Sequence, residues 1–415
     1  MPTSKKQFTD TQQSFDWAGK TLVFDQGKLA LQADASITVR FQDTAVLFST
    51  VMAKEPKGPD VDFLPLMVEM RESFSAAGRI GGAAYRRREG RPSDQAILNA
   101  RLTDRAIRPM FPKGMVNDVV ITATPLAMDP HYPLGVLSIV GSSISIMAAG
   151  LPFDGPVGAA QIAYLDGQYF INPTNEELEK AELNLLVAGK KGSINMIETE
   201  ANEVSKDVLK KAFELGQAEI DRCCEFQSQY LDQLIVTSGS EAILPREVSF
   251  NKPSHELEAA VYAFLGEEKL EAMMGNAKVS FNDLYYQYEK ELLEAFKEQI
   301  EEEANKEYST SKVKMAFFNV IKHYIRERTL STGKRVDDRT QLDIRPLYCE
   351  VGLFERTHGT GLFRRGDTQV LSTVTLGGPT DYLILDDMEN DDVKQRYMHH
   401  YNFPPFSTGE AKGMR

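Results

Sequence analysis

The sequence predicts an α+β protein in three parts: a mixed core over residues 1–240, an all-helical linker over 241–331, and the beginning of a second core over 332–415. Three observations carry this. Strand and helix patterns alternate over the first two hundred-odd residues. The composition then turns Glu/Lys-rich and helical. Finally, a strand pattern from the start of the chain returns near its end: "FQDTAVLFSTV", from Phe41, is answered by "RRGDTQVLSTVTL", from Arg364.

Along the first part, "SITVRF" and "TAVLFSTVMA" flank Gln42-Asp43 and read as a β-hairpin. "VVITATPLAM" is a further strand. "GVLSIVGSSISIMAAG" is a buried helix whose small residues permit close packing, ending at Gly150 before Pro152. "GAAQIAYLDGQYFINP" is a hairpin turning at Asp166-Gly167, and "LNLLVAGKKGSINMIET" gives two strands around a Gly-Lys-Lys-Gly turn. A 3.6-residue period over 203–230 predicts a long amphipathic helix.

Between 253 and 331, Leu284, Tyr288, Leu292, Phe296 and Ile300 recur at helical spacing and predict a core stripe, with the acidic positions forming a solvated face. The second core opens with a hairpin turning at Gly366-Asp367. Further on, "RYMHHYNFPPFSTGEAKGMR" corresponds loosely to "FLPLMVEMRESFSAAGRIGGA" of the first copy, after about eight extra residues around "LDDMENDD". On that register Arg415 falls opposite a position near Ala83, so the second copy is expected to be incomplete, with strands left unpaired.

Composition sets bounds. A chain of 415 residues with 42% hydrophobic and 9% aromatic content is large enough for several buried cores. Three cysteines make no disulfide framework, and no Cys/His spacing suggests zinc. The polar start "MPTSKKQFTDTQQSFDW" lacks a signal peptide's apolar core, and no run of 18 apolar residues occurs, so a soluble cytoplasmic protein without membrane partners is expected. P-loop and dinucleotide fingerprints are absent.

Net charge is −13, which argues against indiscriminate coating of nucleic acid. Residues 79–108 reverse that balance with eight arginines (79, 86, 87, 88, 91, 101, 105 and 108) against three acids, Glu89, Asp94 and Asp104. "YRRREGR" reads as a loop following glycines. "PSDQAILNARLTDRAIRPMF" reads as a helix capped by Ser93 and stopped by Pro109, with Arg101, Arg105 and Arg108 on one face. Arginine forks hold phosphate oxygens bidentately, and a neighbouring tyrosine suits a single strand. The competing reading is a surface salt-bridge network with the three acids. The surplus of arginine favours a polyanion site at Tyr85, Arg86, Arg87, Arg88, Arg91, Arg101, Arg105 and Arg108.

Other patterns carry less. "GRIG" matches the G-x-x-G of KH domains over four residues with the wrong flanks. "DDMENDD" lacks the spacing and glycine of a calcium loop and reads as a solvated turn. His358, His399 and His400 have no evident nucleophile beside them.

"AAGRIGGAAYRRREGRPSDQAILNARLTDRAIRPMFPKG", "RTHGTGLFRRGDTQVLSTVTLG" and "HHYNFPPFSTGEA" resemble the polynucleotide phosphorylase family, over essentially the whole chain. The resemblance implies two RNase PH-like (ribosomal protein S5 domain 2-like) cores flanking a helical domain, a homotrimeric ring threaded by single-stranded RNA, C-terminal KH and S1 domains, and RNA-degradation partner enzymes. It implies phosphorolysis of RNA from the 3′ end in mRNA turnover, reversible as polymerisation, with inorganic phosphate as co-substrate and Mg²⁺ assisting. The family's catalytic serine-rich turn, aspartates and lysine belong to the second core, so here they are expected beyond Arg415. In the first core Asn184 stands at the position of a metal-binding aspartate, Leu186 at that of the lysine, and "HYPLG" (131–135) at that of the serine-rich turn. That core is therefore expected to be catalytically vacant. Tyr85, Arg87 and Arg88 match the family's RNA-constriction motif, with Arg86 where a second aromatic is usual. The alternative is a non-catalytic RNA-binding scaffold subunit of a ring.

Overall fold

A computed structural model describes residues 11–56, 58, 61, 63–82, 85, 87–239, 243–276, 278–302 and 308–413, with the backbone alone at 278 and 279. By contacts the chain divides into two units, one within 1–80 and 89–344, the other comprising 81–88 and 345–415.

The first unit opens with β1 (Thr11–Trp17) and β2 (Lys20–Gln26), which the polar N-terminal sequence conceals. In β1 buried positions are separated by polar ones, whereas β2 buries Leu22 to Asp25 in succession, and Trp17 is fully buried, its indole N–H donating to Glu219 at 2.9 Å. The expected hairpin follows as β3 (Ala35–Phe41) and β4 (Thr44–Met52). Next come β5 (Leu66–Met70), α1 (Asp94–Ile107) and β6 (Val119–Ala127). The six strands form one sheet in the order β1-β2-β3-β4-β6-β5, antiparallel except for the parallel β5–β6 pair.

Over this sheet lies α2 (Gly135–Ala148), buried at every position except Met147. Its small residues have a steric reason. A Cβ on Gly141 would lie 2.1 Å from the Phe48 ring. The serines of this apolar helix find partners: Ser145 shares a 2.8 Å hydrogen bond with Thr50, and Ser143 accepts from the Val157 N–H at 2.8 Å.

A second sheet has the order β10-β9-β7-β8, from β7 (Gly158–Leu165), β8 (Gln168–Ile171), β9 (Leu183–Lys190) and β10 (Ser193–Ala201), with α3 (Asn175–Lys180) between β8 and β9. Asp166 and Gly167 both take positive φ (49° and 79°), as a two-residue primed turn demands. The long helix α4 (Lys206–Ser238) packs on β7 and β9 and runs eight residues beyond the expected end at 230.

The helical part comprises α5 (His255–Ala272), α6 (Lys278–Ala295), α7 (Lys297–Glu301) and α8 (Thr310–Thr332). Leu292 and Phe317 are fully buried in its core, and Leu284, Tyr288, Phe296 and Ile300 of the expected stripe join them. Arg328 of α8 then holds the outgoing chain through Asp338 at 2.8 Å.

In the second unit β11 (Leu347–Val351), β12 (Gly359–Arg365) and β13 (Thr368–Val374) form an antiparallel meander. It repeats β2-β3-β4, so the repeat begins one strand earlier than the hairpin recognised in sequence. The extra residues around 386–392 are the loop of a small hairpin, β14 (Leu383–Leu385) with β15 (Val393–Gln395). The 3₁₀ turn Phe74–Ala77 closed by left-handed Gly78 recurs as Pro405–Thr408 closed by left-handed Gly409. No strand among the described residues corresponds to β5. That strand pairs only with β6, which comes later in the chain, and no counterpart of β6 lies among the described residues. The meander's apolar residues stay open, with Val370, Leu371 and Val374 at 50%, 52% and 50% exposure. No helix among the described residues is long and apolar enough to cross a membrane.

Candidate RNA interface and first-core cleft

The arginine segment falls into a loop and a helix, positioned by different devices. Gly82 has φ +81°, and a Cβ there would come within 2.4 Å of the Arg88 carbonyl oxygen, so only glycine closes this loop. Arg87 is itself left-handed at φ +48°. Tyr85 is 91% exposed, and Arg87, Arg88 and Arg91 are exposed. Arg86 lies outside the described residues. Gly78 of "GRIG" serves as the cap of the 3₁₀ turn, a local structural role.

Helix α1 begins where its sequence indicates, Ser93 Oγ accepting from the Ala96 N–H at 3.0 Å. Arg101, Arg105 and Arg108 share one face and line a single cleft of about 1140 Å³ between β5, α1 and the β9–β10 pair. Arg105 pairs with Glu198 of β10. Arg108 forks onto Asp104 at 2.7 and 2.9 Å and donates to the carbonyls of Leu64 (3.1 Å) and Leu66 (3.0 Å). The salt-bridge reading therefore describes these two side chains, with Glu198, distant in sequence, as one partner. Arg101 is exposed with no ion pair or hydrogen bond among the described residues.

The same cleft contains Asn184, Leu186, Pro133 and Gly135, the positions compared above with the family's catalytic groups. Asn184 Oδ1 accepts from Gln161 Nε2 at 2.9 Å. Leu186 is buried, its Cδ1 3.2 Å from where a Gly135 Cβ would stand. Gln161 went unnoticed in the sequence, although a lone amide among the small apolar residues of "GAAQIAYL" is a readable signal.

An amide engaged by another amide, a leucine and a proline offer neither a general base nor a nucleophile. Burial pushes the Cys223 thiol up to about 12 and Cys224 to about 11, so neither is a thiolate at neutral pH. His358 Nδ1 accepts from the Leu376 N–H at 2.8 Å, which binds the imidazole to the backbone. Three of the four acids lining the cleft are paired with arginines, Glu69 with Arg71, Asp104 with Arg108 and Glu198 with Arg105, while the fourth, Glu200, is exposed. No three His, Cys, Asp or Glu side chains converge among the described residues, so these residues do not build a Mg²⁺ site.

Comparisons with known proteins agree with this architecture. The first domain of the 3′ exoribonuclease family matches residues 19–152 and again 343–415, so the two copies of the repeat fall in one domain type. Its second domain matches 155–219. The chain is 39% identical over 402 residues to the polyribonucleotide nucleotidyltransferase of Heliobacterium modesticaldum, covering 97% of this chain and 54% of that protein. It is 40% identical over 401 residues to that of Roseiflexus castenholzii (96% and 52%) and 38% over 402 to that of Bacillus subtilis (97% and 55%). The chain thus spans about half the length of the curated relatives it matches. Rice (Oryza sativa) Rrp46 is a looser structural neighbour, with a TM-score of 0.41 and 13% identity over 53% of this chain and 94% of that one. With RNase PH-like domains matched in both copies of its repeat, the chain belongs to the 3′ exoribonuclease family.

Proposed function

We propose that the protein is a phosphorolytic 3′-to-5′ exoribonuclease, a polyribonucleotide nucleotidyltransferase, and that residues 1–415 supply its RNA-guiding first core and helical linker. In this reaction an oxygen of inorganic phosphate attacks the phosphorus joining the last two nucleotides. The P–O3′ bond breaks, a nucleoside diphosphate leaves, and the shortened RNA keeps a 3′-hydroxyl. Reversal adds nucleotides from diphosphates. Phosphate is itself the nucleophile, so the protein's task is to hold two anions together and stabilise their charge. On this reading the phosphate-binding and Mg²⁺-binding groups belong to the second core. The setting is cytoplasmic mRNA turnover by a homotrimeric ring, with RNA-degradation enzymes as partners.

The observation that carries the first core's part is the exposed loop presenting Tyr85, Arg87 and Arg88, followed by Arg91, uncommitted to the cleft's ion pairs. Such arginines meet phosphates rather than base edges, so their contribution is indifferent to sequence. Arg87→Glu with Arg88→Glu in the natural full-length protein is expected to weaken binding of long single-stranded RNA about tenfold or more. It should flatten the plot of log K against log salt by about 0.7 for each phosphate that no longer meets an arginine. Tyr85→Ala should cost a further ~1–3 kcal/mol if a base stacks on it. Oligonucleotides too short to span the loop should be phosphorolysed nearly as before. An unchanged salt slope in the double variant would refute the RNA role.

The scaffold reading applies to the chain taken by itself, and the amide and leucine at Asn184 and Leu186 favour it over catalysis in the first core.

A further inference from the structure

Helix α8 is the basic member of an acidic helical part. It carries five bases (Lys312, Lys314, Lys322, Arg326 and Arg328) against one acid, Glu327, whereas α5, α6 and α7 carry eleven acids against four lysines. Its inward residues, among them Val313, Phe317 and Ile321, fill the core of this part. On the other side, residues four apart form one outward ridge: Lys314, Phe318, Lys322, Arg326 and Leu330 are all exposed. Each step along it advances by about 6 Å.

The bases of α8 differ in what holds them. Lys314 is paired with Glu289 at 2.9 Å, and Arg328, off the ridge, with Asp338 at 2.8 Å and Glu271 at 3.2 Å. Lys322 and Arg326 make no ion pair or hydrogen bond among the described residues. The Lys322 ammonium instead stands 5.8 Å from the centroid of the Phe318 ring. That ring is 52% exposed, while the core position beside it is filled by Phe317.

We propose that the ridge of α8, through Phe318, Lys322 and Arg326, is a contact surface for single-stranded RNA that does not involve residues 81–88. It takes from the proposed function only that RNA is the ligand. An exposed aromatic face accepts a base of any identity, and cations one and two turns further on meet the phosphates that follow. A protein partner spanning Phe318 and Leu330 would have to bury acids against the two cations between them, at a desolvation cost. Phosphates stay hydrated, and their binding is driven by released counterions. The surplus of positive charge on this one helix therefore favours the polyanion.

The test is a photocrosslink in the natural full-length protein. An oligouridylate carrying 4-thiouridine, irradiated without inorganic phosphate, should attach to the tryptic peptide Met315–Lys322, which contains Phe318. Lys322→Glu with Arg326→Glu should sharply reduce attachment to Phe318 and flatten the plot of log K against log salt by about 0.7 for each phosphate lost. Phe318→Ala should weaken binding about fivefold or more, the loss of one stacked base. Leu330→Ser should leave binding unchanged.

No attachment within 315–322, or a salt slope unmoved by the double reversal, would overturn the proposal. Equal losses in Leu330→Ser and Phe318→Ala would also overturn it, since they would make the ridge an apolar protein contact. Attachment at Phe318 in a full-length protein that releases no nucleoside diphosphate would refute the proposed reaction and leave this surface standing.

Discussion

A polypeptide of residues 1–415 is expected to release no ADP from poly(A) when supplied with inorganic phosphate and Mg²⁺, whereas the proposed function predicts such release from the natural full-length protein. This is the largest functional effect expected, since it is the whole of the activity. The first-core cleft has the volume for a substrate, about 1140 Å³, but not the chemistry. Asn184 is neutral and already engaged by Gln161, Leu186 fills its position with buried methyl groups, and Pro133 has no N–H to offer an oxyanion. Of the neighbouring carboxylates, Glu69, Asp104 and Glu198 are paired with Arg71, Arg108 and Arg105, and Glu200 is exposed. Asn184→Asp alone should not create activity, because Leu186 and Pro133 would still supply neither a cation nor an N–H for the phosphate. Phosphate-dependent ADP release above background from the 415-residue polypeptide would contradict this directly.

Phe317→Ala should destabilise the helical part by ~3–5 kcal/mol, the usual cost of emptying a fully buried phenylalanine site. Its ring stands 4.9 Å from that of Tyr285, nearly edge-on, within the cluster that includes Leu257, Val261, Leu292 and Val320. The adjacent Phe318 is 52% exposed, and Phe318→Ala should change stability by only about 0.5 kcal/mol or less. Denaturant unfolding followed by circular dichroism at the α-helical band compares the two. A small and equal effect of both substitutions would mean that the apolar stripe of this part is not a packed core. The contrast between neighbours matters because composition alone cannot separate them: both are phenylalanines in the same helix, one turned inward and the other outward.

Local signals in the sequence located much of this architecture. The turns at Gln42-Asp43, Asp166-Gly167 and Gly366-Asp367 were readable because few residues tolerate the left-handed backbone that short hairpin loops need. The Ser93 cap and the helical stripe from Leu284 to Ile300 were readable for the same reason: each is decided within one or two helical turns. The repeat was readable as repeated text. Strands β1 and β2 were not, because polar residues fill their outward positions and only Phe15, Trp17 and a short apolar run mark the buried face. Strand β5 was not, because its stability comes from a parallel partner some fifty residues later.

What the sequence determined by itself is the order of units, the repeated RNase PH-like core, and an arginine-rich segment too basic for its own acids to neutralise. What only the tertiary structure decided is which of those arginines remain available. Arg105 finds Glu198 across the cleft, and Arg108 is held by Asp104 and two carbonyls. These outcomes depend on contacts between residues far apart along the chain. The energy of an ion pair or a charge-assisted hydrogen bond falls steeply with distance and solvent exposure, so it is set by where the fold places each partner.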